Sequence, residues 1–142
     1  MIPLRQIRLG NIVNVNEGLM LRMCVDRFFV DEQDRDCVEL STTTELMKRS
    51  CTCPSDLLEG VPLTEEIITD CGFAWDMVTA TFQLDGFGVI DNGEQGYFAL
   101  LTPLDYMLSI PLPDLHTLQN VFFYVTGKEL PIKTAHFDIP EL

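Results

Sequence analysis

Turn signals constrain this chain more than any other feature of its sequence. Gly10-Asn11, Glu17-Gly18, the charged run Asp31–Asp36, Asp85-Gly86 and Asp91-Asn92-Gly93 recur between short apolar segments. Glycine, asparagine and aspartate enter turn conformations that other residues resist, so the segments between them are held to strand length. Ile12–Val15, Leu19–Val25, Phe28–Val30 and Cys37–Leu40 read as four such strands. They predict a small antiparallel sheet or partial barrel over residues 1–40. Thr79–Leu84, Phe87–Ile90, Tyr97–Leu101 and Tyr106–Ile110 predict an antiparallel meander, with Asp85-Gly86 as its tightest hairpin.

Two stretches carry helix punctuation instead. Thr64 is a good N-cap, Glu65 and Glu66 suit the positive end of a helix dipole, and Gly72 supplies a left-handed stop. Leu63 and Ile68 fit a hydrophobic staple across that start. The second helix runs from an Asp114 cap after Pro113 to Gly127. Its apolar stripe is Leu115, Leu118, Phe122 and Val125 with Val121 alongside, leaving His116, Gln119, Asn120 and Phe123 mostly off it. The expected architecture is α+β, a single domain over residues 1–142. It comprises a strand-rich part (1–40), an irregular insertion (41–62) with a short helix around Leu46 and Met47, a helix–meander–helix part (63–130) and an extended tail (131–142).

Charge is distributed unevenly along this plan. The chain has 22 acidic and 9 basic residues, a net charge of −13. Residues 1–49 hold 7 basic and 8 acidic side chains, and residues 128–142 hold 2 and 3. Residues 50–127 hold 11 acidic side chains and no lysine or arginine. Such a block cannot neutralise itself by local ion pairs, so its surface carries a strong negative field. A solvated, solubilising face accounts for that field, and so does a docking surface for a basic protein. Free nucleic acid is excluded as a partner by phosphate repulsion. A hydrophobic share of 46% excludes acidic disorder. No apolar run reaches the roughly 18 residues of a membrane-spanning helix, so no membrane partner is expected.

Cys24, Cys37, Cys51, Cys53 and Cys71 make an odd count, and the N-terminus lacks an apolar leader segment. Both point to a reducing, cytoplasmic setting. Cys24 and Cys71 read as small buried hydrophobes, and Cys51 and Cys53 as thiols in a loop before Pro54. Cys51-x-Cys53 lacks zinc-ribbon spacing, so no metal and no cofactor is expected. The aromatic residues read mostly as core, with Trp75-Asp76 half exposed after the first helix. No phosphate loop or nucleophile elbow is present. His116 with Asp114 or Asp105 is the one acid–base arrangement worth naming, and a lone histidine defines no triad.

Three segments carry a resemblance. They are Leu9-Gly10-Asn11-Ile12-Val13, then Val61-Pro62-Leu63-Thr64-Glu65-Glu66-Ile67 with Cys71-Gly72-Phe73, and finally His116-x-Leu118-Gln119-Asn120 continuing to Thr126-Gly127-x-Glu129-Leu130. In order and spacing they resemble a family of small uncharacterised proteins of Bacteroides-type phages and prophages that read LRIGN, PLTEE…GF and HQLQNLYFALTGEEL. The resemblance spans residues 4–130. Residues 41–60 look longer than in that family, and the chain is more acidic. It implies a mobile-element protein working inside a bacterial cell.

The sequence reading favours a non-enzymatic acidic binding protein that engages a basic host or phage protein. Its expected contact residues are Trp75, Asp76, Asp85, Asp91, Glu94, His116, Gln119, Asn120 and Phe123. The rivals are a hydrolase-like enzyme using His116 with a nearby carboxylate, and a nucleic-acid mimic.

Overall fold

The computed structural model describes residues 2–16, 20–42, 50–101 and 108–132. The fold is α+β. The chain forms two compact units, the first running to Val61 and the second spanning Pro62–Ile132.

The first unit is a five-stranded antiparallel sheet in the order β4-β3-β2-β1-β5. Its strands are β1 (Ile12–Asn16), β2 (Met20–Val30), β3 (Asp36–Thr42), β4 (Ser50–Pro54) and β5 (Leu58–Glu59). The turn into β1 forms as the Gly10-Asn11 signal predicts. Gly10 takes a φ of +88°, and the fully buried Asn11 accepts the Arg8 amide on Oδ1 at 2.6 Å. Val13, Val15, Met23, Val25, Val38, Leu40, Cys53 and Leu58 form the core of this unit.

Three expectations for this region are corrected. The two segments ending at Val25 and starting at Phe28 are one strand, β2, whose register shifts between Val25 and Arg27. The bulge breaks the alternation and so mimics a gap between strands. The insertion over 41–62 is not irregular where it is described, because β4 pairs with β3 from Ser50 to Pro54 and β5 pairs with β1. Cys51 and Cys53 therefore lie in a strand, and Cys53 is buried in the core. The short helix expected around Leu46 and Met47 lies outside the described residues, as does most of the tail.

The second unit begins with α1 (Glu65–Asp70), where Thr64 Oγ1 accepts the Ile67 amide as the capping signal predicts. A second antiparallel sheet follows in the order β10-β9-β8-β7-β6. It comprises β6 (Ala74–Asp76), β7 (Thr81–Leu84), β8 (Phe87–Asp91), β9 (Tyr97–Leu101) and β10 (Leu108–Leu112). Asp85 and Gly86 both take positive φ (51° and 81°), as a tight hairpin requires. The final helix α2 (Leu115–Thr126) is capped by Asp114, which accepts the Thr117 amide, and it ends at Gly127 in the left-handed region.

Helix α2 packs on the sheet through an aromatic cluster. Phe122 meets Phe87 at 5.4 Å and Phe73 at 6.3 Å, and Phe73 meets Phe87 at 6.1 Å, all edge-on. Leu115, Leu118 and Phe122 are buried as expected, but Val125 is 48% exposed. Gln119 and His116 are buried in its place. At 3.6 residues per turn, Leu115, Leu118, Gln119 and Phe122 form one continuous stripe, which the polar amide disguises. The aromatic residues also divide: Phe82, Phe87 and Phe122 are buried, whereas Trp75 and Tyr124 are largely exposed. Among the described residues no helix is long and apolar enough to cross a membrane.

Candidate functional site

The register of the second sheet assembles a cleft from residues far apart in sequence. Trp75 pairs with Phe82, and Phe82 with Val89. Directly opposed residues share a face, and so do residues two apart on one strand. Asp91 therefore lies on the face of Trp75, Phe82 and Val89, and its cross-strand partner Tyr97 lies there too. Helix α1 adds Glu65 from its first turn.

Glu65, Trp75, Phe82 and Asp91 line an open cleft of about 370 Å³. The Trp75 and Phe82 rings meet edge-to-face at 5.0 Å and 66°. Phe82 is buried, whereas Trp75 is 52% exposed. The indole is thus braced from below and open above. Asp91 Oδ1 accepts the Gly93 amide at 3.0 Å, which fixes the carboxylate at the end of β8. The Tyr97 phenol is pushed up by burial and by the charges of Asp91 and Glu65, so both carboxylates act on one locality. An aromatic surface beside two carboxylates is suited to a cationic group, by the attraction of cations to π-faces and by charge attraction.

The nine expected contact residues separate into groups. Trp75 and Asp91 line the cleft. Asp76 and Glu94 lie toward the same end of the sheet, Asp76 accepting the Val78 amide at 2.9 Å and Glu94 exposed in a turn after β8. Asp85 sits at the opposite end, in the β7–β8 turn, 3.9 Å from Lys128 Nζ. Asn120 and Phe123 are half-buried on α2, with the Phe123 ring 6.2 Å from Tyr124. His116 and Gln119 are corrected: they are 1% and 3% exposed, so neither side chain offers a surface to a partner.

His116 is a core residue with an electrostatic neighbour. Its Nδ1 lies 3.1 Å from Asp114 Oδ1, without the alignment of a hydrogen bond. Burial pushes its pKa down, and the Asp114 charge opposes this. A general base must reach its substrate. His116 lines neither the cleft beside Trp75 nor the hollow in the first unit.

That second hollow, of about 180 Å³, is lined by Asp31, Arg35, Cys37, Thr52 and Cys53 among others. Arg35 Nε bonds Asp31 Oδ2 at 2.8 Å, and Asp31 also accepts the Arg35 and Gln33 amides. These donors, the Arg35 amide first, hold the Asp31 carboxyl below its usual range. Burial pushes the Cys37 thiol up, and the neighbouring Asp31 charge adds to it. Burial likewise raises Cys24, and it pushes Cys71 up to about 12. Thiols so shifted stay protonated and are poor nucleophiles. Among the described residues no group of three histidine, cysteine or acidic side chains is placed to hold a metal ion.

Comparison of the chain with protein-family models, curated proteins and solved structures gives no match.

Sequence reasoning missed half of the cleft. Glu65 read as helix-start electrostatics and Phe82 as core. Both readings are correct locally and silent about the site. The usable signal was register: closing the Asp85-Gly86 hairpin sets Phe82 opposite Val89 and so brings Asp91 to the same face.

Proposed function

We propose that this chain is a non-enzymatic binding protein whose second unit engages a basic protein partner. The cleft carries the reading: an exposed tryptophan shares it with two carboxylates, in a unit with ten acidic residues and one lysine. Electrostatic attraction brings the partner in, and Trp75 supplies the apolar anchor. Free nucleic acid is disfavoured by the same field. The resemblance to phage and prophage proteins supports a bacterial cytoplasmic setting for this reading, with a host or phage protein as the partner.

The test is affinity purification from the bacterial cell, followed by binding of the purified partner across salt. The expected partner is basic at its contact surface, and affinity falls steeply from about 0.05 to 0.5 M salt as exposed charges are screened. Partners without basic character, or affinity indifferent to salt, would overturn the reading.

A further inference from the structure

The chain itself shows what an aromatic ring beside a carboxylate accepts. In the first unit the Arg27 guanidinium lies 5.3 Å from the centre of the Phe29 ring and bonds Glu39 Oε2 at 2.9 Å. A guanidinium is planar and weakly hydrated, so it stacks on a ring while its N–H groups fork toward an acid. The cleft of the second unit presents the same chemistry in Trp75, Phe82, Glu65 and Asp91. No lysine or arginine occurs between residues 50 and 127 to fill it.

An independent observation concerns the backbone. β6 is the terminal strand of its sheet. Edge strands present N–H and C=O groups that template a further strand. Ala74 and Trp75 of β6 are exposed, and just beyond it Met77 is 85% and Val78 94% exposed. A peptide strand laid along β6 sets one side chain directly beside Trp75, about 5 Å away between Cβ atoms and on the same face. That face is the one bearing the cleft.

We propose that this site binds an extended peptide segment by strand addition to β6, with one arginine of that segment stacked on Trp75 and attracted by the negative field of Asp91 and Glu65. The proposal rests on the basic-partner reading and names the mode of recognition. Charge complementarity selects arginine for the cleft, and Met77 and Val78 favour apolar residues flanking it.

Trp75 is the only tryptophan, so its fluorescence reports the cleft directly. The full chain is titrated with a short acetylated peptide alternating valine and threonine around one central arginine. Two control peptides replace arginine by neutral citrulline, or N-methylate the backbone amides that would face β6. The arginine peptide is expected to give a saturable change. Each control, and the Glu65→Gln/Asp91→Asn protein with its circular dichroism unchanged, is expected to bind at least about tenfold more weakly. Equal binding of the citrulline peptide overturns the arginine site and with it the basic-partner reading of the cleft. Weakened citrulline binding with an undiminished N-methyl peptide overturns strand addition alone. No saturable response to any peptide overturns this inference, while salt-dependent capture of a basic protein would leave the broader reading standing.

Discussion

Residues 1–61 and residues 62–132 hold equal numbers of carboxylates and treat them differently. Residues 1–61 carry ten acidic and seven basic side chains, whereas residues 62–132 carry ten acidic and one basic. In the first unit guanidinium groups answer the acids: Arg27 bonds Glu39 at 2.9 Å and Arg35 bonds Asp31 at 2.8 Å. In the second, backbone amides do much of that work. Asp76, Asp91 and Asp114 accept from the amides of Val78, Gly93 and Thr117. An amide satisfies a lone pair and leaves the negative charge in place. Similar acid content therefore gives a locally balanced surface in one unit and a sustained negative field in the other.

A unit that repels itself needs a core strong enough to hold it together. Phe122 is fully buried and touches both Phe73 and Phe87. Phe122→Ala is expected to destabilise the second unit by about 3–5 kcal/mol, the usual cost of deleting a buried phenylalanine. Chemical denaturation followed by Trp75 fluorescence reads this directly. A loss below about 1 kcal/mol would mean that the aromatic cluster is not what opposes the repulsion.

The next effect is a pH dependence peculiar to the second unit. Burial lowers the His116 pKa from its ordinary value of 6.5 in the folded state. The unfolded chain then binds more protons than the folded chain as pH drops below that value. Stability is full above about pH 6.5 and declines as pH falls toward the folded pKa. His116→Met should flatten the slope between about pH 6.5 and 5.5, a range above the titration midpoints of ordinary carboxylates. An unchanged slope would assign it elsewhere. Asp114→Asn separates charge from capping, because asparagine caps as well as aspartate. The helix should persist while the His116 pKa, followed by NMR, falls further. A rise would contradict the role of the Asp114 charge.

Particular residues show what the sequence made legible and why. The caps Thr64 and Asp114 and the Gly10 and Asp85-Gly86 turns formed as read, because each depends on a few neighbouring residues. β6 was missed, since three residues carry no measurable alternation. The burial of Gln119 was missed because its polarity hides a stripe that geometry alone completes. The cleft was half legible. Trp75 and Asp91 stood out by type and charge, whereas Glu65 and Phe82 enter only through sheet register and the position of α1, which are long-range facts. The excess of acid was visible from composition, but its lack of compensation required knowing which carboxylates face amides and which face arginines.

The smallest expected effect tests the other side of the contrast. The Arg27–Glu39 pair looks favourable, with a short contact and a ring beneath the guanidinium. Yet the Arg27 side chain is 65% exposed, so water and salt screen the attraction. Arg27→Met keeps apolar reach over Phe29 and removes the charge. It should cost at most about 1 kcal/mol, and less at high salt. Denaturation of the variant in low and high salt measures both quantities. If the cost exceeds about 2 kcal/mol, ion pairs hold the first unit together energetically as well as balance its charge. If it is small, the arginines matter chiefly for the field: they cancel it over one unit, and their absence from the other leaves the Trp75 cleft facing solvent with its charge intact.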